Sequence, residues 1–153
     1  MSWWTVHTDR TLSDLVPAPP DAVRDYYVDL NNIKLVHPLI VSVETLSRSE
    51  TEDGYQQTYR VVDRIPLGPL TLRITYQARL RVPAQGDVLT EADQSPGVRL
   101  RGTVSFEPLD GGTRITERIG STAPRLLAGV TVREGVKAHI KMLAGVRKHF
   151  ESG

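Results

Sequence analysis

The chain of 153 residues contains no cysteine, which removes disulfide staples, thiolate metal ligands and thiol nucleophiles together. It has no apolar run approaching the roughly 20 residues of a membrane-crossing helix, so no stable membrane insertion is expected. It also lacks a charge excess. Lys and Arg number 19 against 18 Asp and Glu, and a net charge of +1 provides no field for gripping nucleic acid. The start, Met1-Ser2-Trp3-Trp4-Thr5, has neither the basic residues nor the apolar stretch of a secretory leader, so a cytoplasmic location is expected. What remains is 39% hydrophobic and 24% charged, a balance that suits a globular fold and not a disordered chain. A chain of this length buries roughly 68–70% of its unfolded surface, enough for a core without staples. One domain spanning residues 1–153 is the expectation.

Hydrophobic periodicity supplies the elements. Thr5 to Val16 reads as a first strand, stopped by Pro17-Ala18-Pro19-Pro20-Asp21, which also suits the first turn of a helix. Val23, Tyr26, Tyr27 and Leu30 follow at helical spacing. Asn31 and Asn32 are the expected caps of a second short helix carrying Ile33, Leu35 and Val36, ended by Pro38. Strict alternation then marks strands. Leu70, Leu72, Ile74, Tyr76, Ala78, Leu80 and Val82 share one face, and Val98, Leu100, Gly102, Val104 and Phe106 share another. Gly54 to Ile65 and Thr113 to Ser121 alternate as well, and Val41–Leu46 and Val88–Ala92 are shorter candidates. Asp53-Gly54, Pro66-Leu67-Gly68-Pro69, Gln85-Gly86-Asp87, Ser95-Pro96-Gly97 and Asp110-Gly111-Gly112 lie between them at hairpin spacing, which predicts antiparallel neighbours. A final helix of roughly 27 residues runs to about Glu151, a rod of about 40 Å. Ser121 and Thr122 are its expected caps, and Val132, Val136, Ile140, Leu143, Val146 and Phe150 its expected buried stripe.

This order resembles the helix-grip fold of the START-like superfamily, of polyketide cyclase/dehydrase and lipid-transport type. The likeness rests on Ala18-Pro19-Pro20-Asp21-Ala22-Val23 before the first helix and on Pro38 before the second strand. It continues in the hairpin Phe106-Glu107-Pro108-Leu109-Asp110-Gly111-Gly112-Thr113-Arg114-Ile115-Thr116 and in the last helix. The resemblance implies an α+β fold: a curved seven-stranded antiparallel sheet around a long C-terminal helix, two short helices between strands 1 and 2, and an apolar cavity. Twist supports the cavity independently, because a single helix does not fill the concave side of a curled sheet. A closed, dry core is the competing outcome.

Glu117 falls between Ile115 and Ile119 on the face assigned to the interior. A buried carboxylate suits proton transfer or anchoring of a ligand hydroxyl; the alternative is a bulge or rim that lets it reach water or an arginine. No histidine is expected at its side. Tyr59 and Tyr76 point inward on adjacent predicted strands, either orienting a ligand or bonding to backbone, and Gln57 is a weaker candidate. The expected pocket comprises Tyr59, Leu72, Ile74, Tyr76, Ala78, Leu100, Gly102, Val104, Glu117, Ile119, Val136, Ile140 and Leu143, with Gly102 leaving room for a ligand. His7, His37, His139 and His149 lack metal-site spacing, so no metal is expected, and the chain carries no cofactor motif. His37 precedes Pro38, where a cavity mouth could lie. Arginine supplies 15 of the 19 cations, many on predicted strands. Without interleaved aromatics they form a solvated face and not a nucleic-acid platform. Gly129 and Gly135 are expected to loosen the helix start near an opening.

Three functions fit. The first is a carrier or sensor, monomer or homodimer, that binds a hydrophobic or amphipathic small molecule such as a lipid, polyketide or aromatic metabolite. The second is a cyclase/dehydrase-type enzyme using Glu117 and a pocket tyrosine. The third is a protein-interaction module, which would need an exposed apolar patch on the convex face.

Overall fold

The computed structural model describes residues 4–94 and 97–152. Every expected element is present, most of them a few residues longer than the sequence pattern. The order is β1 (Thr5–Val16), α1 (Pro20–Val28), α2 (Leu30–Ile33), β2 (Ile40–Thr51), β3 (Gly54–Leu67), β4 (Leu70–Pro83), β5 (Val88–Gln94), β6 (Val98–Leu109), β7 (Gly112–Pro124) and α3 (Arg125–Glu151). All seven strands join one antiparallel sheet in the order β1-β7-β6-β5-β4-β3-β2. The strands from β2 to β7 form a meander of hairpins, and β1 closes onto β7 in a register that sets Thr5 opposite Pro124. Two register shifts, at Ile40/Ser42 and Thr45/Ser47, bend edge strand β2. This is the helix-grip layout, a curved sheet with α3 on its concave side.

Turn chemistry fixes the hairpins. Gly68 joins β3 to β4 with φ of 60°, the left-handed region in which a side chain is strained. Of the turn expected at Ser95-Pro96-Gly97, Ser95 and Pro96 lie outside the described residues. Three terminal signals are resolved differently from the sequence reading. Asp29, not Asn31 or Asn32, caps α2, its carboxylate accepting from the Asn31 N–H at 3.0 Å. Ser121 and Thr122 belong to β7, where they pair with Thr8 and His7, and α3 starts after Pro124 with no side-chain cap. The backbone N–H of Arg125 instead donates to the Trp4 carbonyl at 2.7 Å, tying the helix start to β1.

The concave side is unevenly filled. Val23, Tyr27 and Ile33 of the two short helices pack with Val61, Leu80, Val104, Ile115, Met142, Leu143 and Val146 into one continuous core. Each fully buried side chain of this size contributes roughly 1.5–3 kcal/mol. That core occupies the half of the sheet bearing α1 and α2. The other half, beneath the start of α3, holds a smaller cluster of Val98, Ala123 and Ala128 with Val6 against it.

The buried stripe of α3 is rotated from the expected one. At about 100° per residue, Ala128, His139, Met142 and Val146 fall on one line, and Ala138 and Leu143 flank it. Ile140 lies about a third of a turn away and is 52% exposed. The three helix glycines also differ. A Cβ on Gly145 would stand 2.7 Å from Val36 Cβ, so this glycine lets α3 approach the segment after α2. Gly129 and Gly135 have open space around the position of a Cβ instead.

Candidate ligand cavity

The less filled half of the concave side encloses a cavity of about 130 Å³ between the sheet and the first half of α3. An apolar hollow of about 150 Å³ accommodates benzene in another protein, which sets the scale of a one-ring guest. Leu67 and Leu72 near the β3–β4 turn, with Leu127 and Val130 on α3, form its outer wall. Val98, Leu100 and Ile119 form its floor.

Of the residues expected to line a pocket, Leu72, Ile74, Tyr76, Leu100, Ile119 and Val136 do so. Tyr59, Ala78, Val104 and Leu143 lie in the packed half, because α1 and α2 cover the sheet there. The Tyr59 hydroxyl donates to the Val28 carbonyl at 3.2 Å, the backbone-bonded alternative. Gln57 likewise donates to the Ser47 carbonyl, at 2.6 Å. The space beside Gly102 is taken by the Thr90 hydroxyl, which a Cβ would meet at 2.6 Å. Ile140 faces away from the cavity.

Glu117 is 2% exposed, and the expectation that it has no histidine beside it is corrected by the fold. Its Oε1 lies 2.9 Å from His139 Nδ1, and its Oε2 accepts from the Tyr27 hydroxyl. Neither a bulge nor an arginine relieves it. Residues from α1, β7 and α3 meet here, so no local sequence pattern reports the contact. Burial disfavours a charged His139, but the charge and hydrogen bond of Glu117, with the charge of Asp63, outweigh it and raise the pKa. His139 lines the cavity and Glu117 stands directly behind it.

Three further polar side chains share this inner end: His37, Asp63 and Tyr76. The His37 ring stands edge-on to His139 with centroids 5.3 Å apart. Burial, then the nearby His139 charge, lowers its pKa to about 3, so it is neutral at ordinary pH. Its Nδ1 accepts from the Leu39 N–H at 3.2 Å. The neutral ring therefore carries its proton on Nε2. Asp63 is 6% exposed, and its two oxygens lie 3.3 Å from the Tyr76 hydroxyl, which donates to them. Burial raises its pKa to about 6 against the opposing effects of Tyr76 and His139.

A hollow with apolar walls and one polar end can hold a ring or short chain by burial and orient a single polar group by hydrogen bonds. Among the described residues no group of three or more His, Asp or Glu is gathered as a metal site. None of the described helices is long and apolar enough to cross a membrane. On the convex face, Arg79, Arg99 and Arg101 pair with Glu91 and Asp93 at 2.9–3.7 Å. These three arginines are thus charge-compensated.

Comparison with known proteins agrees with this architecture. A sequence profile described as Polyketide cyclase / dehydrase and lipid transport matches residues 7–151. The fold is shared with the protein TTHA0849 from Thermus thermophilus, at 20% identity and a TM-score of 0.71 over 97% of each chain. It is shared with the Zhui aromatase/cyclase from Streptomyces sp. R1128, at 19% identity and a TM-score of 0.65 over 93% of each chain. It is also shared with a STAR-related lipid transfer protein from Xanthomonas axonopodis, at 18% identity and a TM-score of 0.63. That match covers 99% of this chain and 96% of the other. No curated protein sequence matches the chain.

Proposed function

The chain belongs to the polyketide cyclase/dehydrase and lipid transport family, and from that premise we propose that it is a single ligand-binding domain for a small apolar molecule carrying one polar group. The observation that carries this reading is the cavity of about 130 Å³, lined mostly by apolar side chains, with His37, Asp63, Tyr76 and His139 gathered at one end of it and Arg10, Gln94, Ser121, Thr131 and Glu134 also on its lining. Its size favours an aromatic metabolite or short acyl chain over a long-chain lipid or a multi-ring polyketide. Of the solved relatives, one is named as an aromatase/cyclase and another as a lipid transfer protein, and both descriptions fit an apolar guest. The compensated convex face gives a protein-interaction module no comparable support.

Native mass spectrometry of freshly purified protein should find a bound small molecule. Fluorobenzene, followed by fluorine NMR, should bind the wild type and be displaced by that molecule. Ile119→Trp puts an indole into the hollow and should lose at least tenfold in fluorobenzene affinity while keeping its circular dichroism. Unchanged affinity in Ile119→Trp would place the guest elsewhere and overturn the reading.

A further inference from the structure

We propose that the inner end of the cavity is an acid–base site that moves a proton at a carbon next to a carbonyl group, with Asp63 as the base and His37 and His139 as donors to the carbonyl oxygen. The inference rests on the ligand-binding reading and adds chemistry to it. Its basis is the gathering of three different ionisable side chains, from β3, from the segment before β2 and from α3, on one cavity wall. A cavity that only bound a ring would need one polar contact, not a buried carboxylate facing two imidazoles.

Each group is held in a distinct state. The Leu39 N–H occupies His37 Nδ1 and leaves Nε2–H as a neutral donor. Glu117 occupies His139 Nδ1, fixing the ring so that only Nε2 remains for a ligand. Tyr27 fills the other Glu117 oxygen, so Glu117 is a positioning residue without access to substrate. Among the described residues Asp63 takes its hydrogen bond from Tyr76, and burial lifts its basicity toward the working pH.

The reaction balances without a co-reactant. The Asp63 carboxylate takes the α-proton. The electron pair of the broken C–H bond forms a carbon–carbon double bond as the carbonyl π pair moves onto oxygen. The enolate oxygen accepts from the neutral His37 Nε2–H and from the Nε2–H of His139 as an imidazolium, whose Nδ1–H stays with Glu117. The Asp63 carboxyl exchanges its proton with solvent and delivers a hydron to the same carbon, or to the γ-carbon of a β,γ-unsaturated ketone, which isomerises it. The substrate class is a ketone of about one ring.

The test incubates cyclopentanone, cyclohexanone and cycloheptanone with the protein in deuterium oxide. Proton NMR follows loss of the α-hydrogens, and saturation transfer in the same samples reads binding. The expected result is exchange at least tenfold faster than with equal concentrations of free acetate and imidazole, reduced at least tenfold in Asp63→Asn. Phenol, planar and oxygen-bearing like an enolate, should compete with the ketones in the wild type and lose that advantage in His37→Gln. Around His139 stand Glu117 from β7, Asp63 from β3 and His37, and Tyr76 from β4, Arg10 from β1 and Glu134 from α3 line the same cavity. In Glu117→Gln the alkaline limb of the rate profile should therefore move to lower pH, which a purely structural glutamate would not cause. Ketone binding without exchange overturns the catalytic proposal and leaves the ligand-binding reading standing. Neither binding nor exchange overturns both. Exchange that survives Asp63→Asn removes the assigned base.

Discussion

Replacing Asp63 by asparagine should make the protein's stability advantage over the wild type grow as pH rises. Asp63 is buried, and its pKa lies at about 6 in the folded chain against 3.8 in an exposed one. The folded state therefore holds the proton up to about pH 6, whereas the unfolded state releases it near 3.8. Its contribution to stability is whole at low pH and is lost as pH rises through the folded value. At about 1.4 kcal/mol per tenfold change in proton affinity, ionised Asp63 costs the fold about 3 kcal/mol above pH 7. Asparagine keeps the shape and an oxygen for the Tyr76 hydroxyl but carries no charge. It also leaves a buried amide N–H without an assured partner, a cost of about 1–3 kcal/mol that does not depend on pH. The slope, not the offset, is therefore diagnostic. His37, whose pKa is lowered to about 3, acts in the opposite sense, with stability lost as pH falls below its unfolded value. It is present in both proteins and cancels in the difference. Urea unfolding of the two proteins at about pH 4.5 and pH 8 should show their stability difference changing by about 2 kcal/mol in favour of the variant. In thermal melts this is a relative shift of about 4–8 °C. Differences that stay parallel across this range would mean that Asp63 ionises freely, and the reasoning about a tuned base would fail.

Other substitutions test the packing. Gly129→Ala meets nothing within 4 Å and should raise stability by about 0.5–1 kcal/mol through helix propensity, whereas Gly145→Ala, driven into the stiff Val36 side chain, should lower it by about 1–3 kcal/mol; paired melting curves decide. Tyr59→Phe should cost about 1 kcal/mol in urea unfolding by orphaning the Val28 carbonyl, with fluorobenzene affinity unchanged because residue 59 lies outside the cavity.

Much of the fold was written in two-residue alternation, which a half-buried strand enforces at every position. The same rule contained the missed base. Continuing Tyr59 and Val61 by two places lands on Asp63, an acid on the inner face. His139 was also visible, set on one helical line with Ala128, Met142 and Val146, but a stripe centred on Val136 and Ile140 turned it away. Leu143 and Val104 were assigned to a pocket because alternation reports which face is buried and not what covers it. Here α1 and α2 cover it. The contact of Glu117 with His139 and Tyr27 depends on three elements closing together, and no spacing along the chain encodes it.

The pairing of β1 with β7 also sets the order of folding. Strands β2 to β7 each join their neighbour in the chain, so hairpin by hairpin they close short loops. The first strand must wait for the seventh, across about a hundred intervening residues, and such distant closures are slow. Because α3 lies against β1 and β7, the helix over the cavity settles only after that step. During synthesis β1 therefore emerges well before β7 and stays without its partner until β7 has been made.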